Sequence, residues 1–129
     1  YLYEPLKSTK EIRLLTLFPG AFLDPIRTSL STFDIEAGTP HYEALTYTWG
    51  DPSLRHVISL HGHEFEITAS LYEALKHLRL IDKKRIIWVD AICINMNNLA
   101  EHSNQVMMMR DIYPRALRVL VWLGIASEN

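Results

Sequence analysis

The chain has one cysteine, five glycines and no long apolar run, and each shortage closes off a class of protein. A lone thiol, Cys93, cannot form an intramolecular disulfide and fits a reducing compartment. The glycines stand in neither GxGxxG nor GxxxxGKS order, which excludes a Rossmann dinucleotide site and a P-loop. No apolar stretch reaches the roughly 18 residues of a membrane span. The opening YLYEPLKSTK lacks the basic and apolar regions of a signal peptide. With 13 Lys and Arg against 15 Asp and Glu, the net charge of -2 gives no basic footprint for nucleic acid. The expectation is a cytoplasmic protein with no membrane span and no nucleic-acid partner.

What is present fits one domain. A length of 129 residues supports a single core but not two. The chain opens without methionine and stops at GIASEN, just past an apolar stretch. Residues 1–129 are therefore expected to be one domain taken from a longer protein.

Turn residues divide the chain into short segments. EIRLLTLF (11–18) reads as a strand, ended by Pro19 and Gly20, and a weaker alternating stretch over 26–35 pairs with it. A strand follows over 42–49, closed by Gly50, Asp51 and Pro52. HVISLHGHEFEIT has alternating halves around His61-Gly62-His63, the mark of a hairpin. Leu71, Leu75 and Leu78 have helical spacing, with Thr68 or Ser70 as cap. RIIWVDA reads as a strand covered on both faces. Helical spacing resumes from about Leu99 to Tyr113 and ends at Pro114, and RVLVWLG reads as another fully buried strand. The second half thus alternates strand, helix, strand, helix, strand. The fold class expected is α/β, a mixed sheet with a parallel βαβαβ core flanked by helices plus an inserted β-hairpin.

In open parallel sheets, ligands bind beyond the carboxyl ends of the strands. One strand here ends in Trp49, Gly50 and Asp51; another ends in Asp90 and runs on to Cys93 and Asn95. Neighbouring strands would bring Trp49, Asp51, Asp90, Cys93 and Asn95 to one sheet edge, with Glu101 and His102 above it at a helix start. An aromatic wall with carboxylates and amides suits a nucleotide or sugar better than an apolar ligand. Each residue also has a plain structural role. Asp90 can bond loop amides, and Asn95, Asn97 and Asn98 form turns. Cys93 between isoleucines packs as a small hydrophobe, and the helix dipole alone favours Glu101. His61, His63 and Glu64 lack a further ligand at metal-site spacing, so a hairpin turn is the better reading and no metal is expected. Cys93 with a histidine could make a nucleophile pair, but no oxyanion-hole glycine stretch accompanies it.

Three blocks carry a wider resemblance: YEALTYTWGD (42–51), IWVDAICINMNNLAEHSNQV (87–106) and MRDIYPRALRVLVWLG (109–124). In order and spacing they resemble the fungal heterokaryon incompatibility (HET) domain, and YEPL with EIRLLTLFPG resembles its lead-in. Thr46 stands where that family has serine, Met96 where it has glutamine, and His102 where it has arginine.

The resemblance implies a cell-death effector of fungal non-self recognition, acting on induced oligomerisation when a regulatory domain or partner protein activates it. It further implies a distant likeness to Toll/interleukin-1 receptor (TIR) domains, which are flavodoxin-like modules that self-associate, some cleaving NAD between nicotinamide and ribose. On that likeness NAD is a substrate rather than a cofactor, and Glu101 is the catalytic carboxylate that stabilises a ribosyl cation. Trp49 is then the wall, with Asp51, Asp90, Cys93, Asn95 and His102 on the substrate side. The alternative is a non-enzymatic signalling module that triggers death by protein–protein contact.

Overall fold

EIRLLTL buries four consecutive residues, Ile12 to Leu15, so β1 (Glu11–Leu17) is covered on both faces. Its place in the sheet accounts for this. The computed structural model describes residues 1–124 and has one seven-stranded sheet in the order β5-β4-β2-β1-β6-β3-β7. β2 (Arg27–Asp34) pairs antiparallel with β1 along its length, with Leu15 opposite Leu30. β6 (Arg85–Trp88) pairs antiparallel with the other side of β1. β3 (Glu43–Tyr47) runs parallel to β6 and to β7 (Arg118–Trp122). The expected α/β class with a mixed sheet is what the chain adopts.

The inserted hairpin joins β4 (Arg55–Leu60) to β5 (His63–Thr68). His61 and Gly62 both have positive φ, 51° and 78°, as a two-residue type I′ turn requires. The His61 ring Nε2 accepts the Leu30 N–H at 2.9 Å, which ties the turn to β2. β4 also adds to the sheet by pairing parallel with β2.

Three helices connect these strands. In α1 (Ala69–Leu78), Thr68 is the cap, its side chain accepting from the Leu71 N–H. α2 (Asp90–Cys93) is a single turn that fills the loop after β6. α3 (Leu99–Arg115) is capped by Asn98 and runs one residue past Pro114. Proline has no N–H to donate to the carbonyl four residues back, and the helix stops one residue later. Side chains alternate along a strand, so Trp88 and its register partner Ala44 share one face while Tyr47 and its partner Trp122 share the other. Trp88 meets Tyr113 of α3, and Trp122 meets His77 of α1. The two longer helices therefore cover opposite faces.

β7 corrects one expectation. RVLVW is apolar, yet it is an edge strand bonded only to β3 among the described residues, and it is not fully buried. Val119 and Val121 are 47% and 63% exposed, on the face that α3 covers further along the sheet. An apolar run shows what a strand needs covered; it does not supply the cover.

Candidate functional site

The carboxyl ends of β3 and β6 open onto a cavity of about 640 Å³, within the range of small-molecule sites. Tyr47 and Trp49 form one wall, with rings nearly parallel at 11° and centroids 6.5 Å apart. Trp49 is 64% exposed where Trp88 is fully buried, so one indole is withheld from the core. The residue before it, Thr48, is held at both its N–H and its carbonyl. The Thr48 N–H donates to the Trp122 carbonyl at 2.9 Å, and the Ser70 hydroxyl donates to the Thr48 carbonyl. Gly50 then turns the chain at a φ of 63°, a left-handed value that favours glycine.

Three other segments complete the cavity. The hairpin contributes Phe65 and the Arg55–Glu66 ion pair, 3.2 Å apart. The loop after α2 contributes Asn95, Met96 and Asn97. An N-terminal strap contributes Tyr1, Leu2 and Tyr3, with the Tyr3 ring edge-on to Phe65 at 6.3 Å. Aromatic rings with a few amides and one ion pair can stack a flat ligand and bond its edge.

The expected residues are only partly brought together. Trp49 and Asn95 line the cavity. Asp90 lies beside it, next to the lining residue Ala91, and its charge is felt by Tyr47. Burial pushes the Asp90 carboxyl above the usual range, against the opposing pull of the Ala91 N–H and of nearby His102. His102 is half-buried on that side and is not among the lining residues. Asp51 is turned away: it accepts from the Ser53 N–H at 2.9 Å and the Ser53 hydroxyl at 2.7 Å, closing its own turn. Cys93 is wholly buried and does not line this cavity, with burial pushing its thiol up to about 12. It packs in the core with Ile92 and Ile94.

Glu101 is placed differently from the expectation. Its carboxylate sits behind the cavity wall and binds Arg13 in fork geometry, at 2.7 and 2.8 Å. The Asn95 N–H donates to the same carboxylate at 2.6 Å. Burial works against ionisation here, but the Arg13 hydrogen bonds, the Asn95 N–H and the Arg13 charge outweigh it. The carboxyl is held below its ordinary value. Asn98 Oδ1 accepts the Glu101 N–H, the plain capping role.

Arg13, Tyr1, Tyr3, Tyr47, Arg55 and Phe65 were missed by the sequence reading. Arg13 left one trace: a charge between Ile12 and Leu14 in a strand buried on both sides must have a partner.

The chain compares with known proteins as follows. The family model described as "Heterokaryon incompatibility protein (HET)" matches residues 42–129. "Heterokaryon incompatibility protein 6, OR allele" of Neurospora crassa is 39% identical over 132 aligned residues, covering 92% of this chain and 19% of that protein. The chain thus spans about a fifth of the length of this curated relative. No solved structure matches. A family match over most of the chain, its Tyr42–Asp51 block falling on β3 and the Trp49 turn, shows that the chain belongs to the HET family.

Proposed function

We propose that this domain is the cell-death effector part of a fungal non-self recognition protein, set off when a regulatory region or partner brings copies together. The observation that carries the reading is the 39% identity to a protein named for heterokaryon incompatibility, extending over nearly the whole chain. Within it, an output by protein contact is favoured by the position of Glu101. A carboxylate clamped by Arg13 is not free to face a substrate. The test is forced dimerisation of the domain in fungal cells, comparing wild type with Trp49→Ala and with Val119→Lys/Val121→Lys. Death that survives the first change and fails with the second supports the contact reading. Death lost only with Trp49→Ala overturns it.

The Trp49 cavity favours a second reading, hydrolysis of NAD at the nicotinamide–ribose bond. Its support is the stacked Tyr47 and Trp49 wall at the carboxyl end of a parallel strand group ordered β6-β3-β7. Such hydrolysis needs a carboxylate near the developing ribosyl cation, either Glu101 released from Arg13 or Asp90 beside the cavity. Nicotinamide already leaves as a good leaving group, so no general acid is required. Nicotinamide release measured over rising protein concentration tests it. Release that climbs faster than linearly supports hydrolysis on assembly, and none at any concentration ends it.

A further inference from the structure

A buried ion pair that serves only stability is an odd choice, because well-packed apolar residues of similar volume usually do as well. Arg13 and Glu101 are such a pair, with side chains 3% and 7% exposed. What apolar residues could not reproduce is the set of bonds that radiates from it. Arg13 Nη2 donates to the Glu4 carbonyl at 2.8 Å, and its guanidinium lies over the Tyr3 ring, 4.8 Å from the centroid. Arg13 Nη1 donates to the Cys93 carbonyl at 3.1 Å, while Glu101 accepts the Asn95 N–H. The pair thus holds the strap on one side and the loop after α2 on the other.

Those two segments face the same space. The strap supplies Tyr1, Leu2 and Tyr3 to the Trp49 cavity, and the loop supplies Ile94, Asn95, Met96 and Asn97. Neither Arg13 nor Glu101 lines the cavity. Apart from the pair, the Tyr3 hydroxyl ties the strap to α2 itself, donating to the Ile92 carbonyl at 2.7 Å. At its far end Tyr1 rests on the His61 ring, nearly parallel at 17° and 5.5 Å away.

We infer that Arg13 and Glu101 are positioning residues of the Trp49 cavity: their ion pair fixes the strap and the loop after α2 against each other and so sets the width of the site. The inference rests on the reading that this cavity is where the domain takes a ligand. It gives Glu101 a role in that site without contact with the ligand. A guanidinium is required, since only its divergent donors reach Glu4, Cys93 and Glu101 at once; an ammonium is a single point. Loss of function in a Glu101 variant would then arise from a misplaced wall and would be shared by Arg13 variants.

The test measures the wall separation directly and uses no ligand. Spin labels on Leu2→Cys and Met96→Cys, both exposed positions, report the distance between strap and loop, and buried Cys93 stays unlabelled. In the parent chain a single narrow distance distribution is expected. In Arg13→Met/Glu101→Leu, which replaces charge by apolar volume, the distribution should lengthen and broaden while the protein still melts cooperatively. Should that variant fail to fold, Arg13→Lys supplies the same comparison with the charge retained. An unchanged distribution in either folded variant overturns the inference. Because no NAD enters the measurement, absence of hydrolysis and absence of wall movement are separate results.

Discussion

Arg13 of β1 and Glu101 of α3 stand 88 positions apart and meet in a bidentate ion pair with both side chains almost wholly buried. Removing one partner leaves the other charge almost wholly shielded from water. Glu101→Leu and Arg13→Met are each expected to cost about 3–5 kcal/mol, and the double variant Arg13→Met/Glu101→Leu far less than their sum. Urea denaturation of the two single variants and the double variant checks this. Additive losses would mean that the two side chains act independently.

The same pair gives the domain an acid limit. Glu101 has a folded-state value below its ordinary 4.5, so its stabilisation is complete above that pH and is lost as pH falls through the lower value. Glu43, held down by hydrogen bonds from Arg85, acts in the same sense. Asp90 acts oppositely: burial raises it, so its contribution is present below its ordinary 3.8 and is lost as pH rises through the folded value. Melting temperatures followed from about pH 7 to about pH 3 should fall below the ordinary glutamate range, and less steeply in Glu101→Gln. Parallel curves for the two proteins would remove Glu101 as the source.

Much of the fold was legible because it follows from local pattern. His61-Gly62 fixes a hairpin by backbone conformation, and the leucine spacing of α1 fixes a helix whichever partners it meets. The candidate site was legible where one strand end decides it, as at Trp49. It was not legible where two distant segments decide it. Nothing in the spacing of Glu101 announces Arg13, and Tyr1 and Tyr3 belong to a strap with no periodicity at all. Glu101 at a helix start looked like a residue facing a ligand, because sequence gives the helix position but not the direction of the carboxylate.

Cys93 should be inert in the folded protein. Its sulfur is fully buried and the thiol is pushed up to about 12, so almost no thiolate exists at neutral pH. A chromogenic disulfide reagent is expected to titrate no thiol under native conditions and one thiol in denaturant. Fast native labelling would restore the cysteine-nucleophile reading that burial otherwise excludes.

Trp49→Ala separates ligand binding from folding. The ring is mostly exposed and stands beside Tyr47, so stability should change by less than about 1 kcal/mol. Stacking of a heteroaromatic ring on an indole is worth about 1–3 kcal/mol, so any affinity for NAD measured by calorimetry should drop by about 5- to 150-fold. Equal affinity in the two proteins would place the ligand elsewhere or remove it.

Val119 and Val121 pose the opposite problem, apolar side chains that the described residues leave uncovered. They stand two apart on β7, on the face where α3 covers β6 through the Trp88–Tyr113 contact but stops short of the edge strand. Buried valines replaced by lysine would wreck a core, whereas exposed ones cost little in the isolated domain. Val119→Lys/Val121→Lys is therefore expected to leave its melting temperature within a few degrees of the parent. If copies or partner segments dock on this face, the same change removes apolar area worth about 25 cal/mol per Å² and adds two charges that must be desolvated. Sedimentation over rising protein concentration should then show weaker association while the fold persists. Association unchanged by two lysines would move the docking surface off β7.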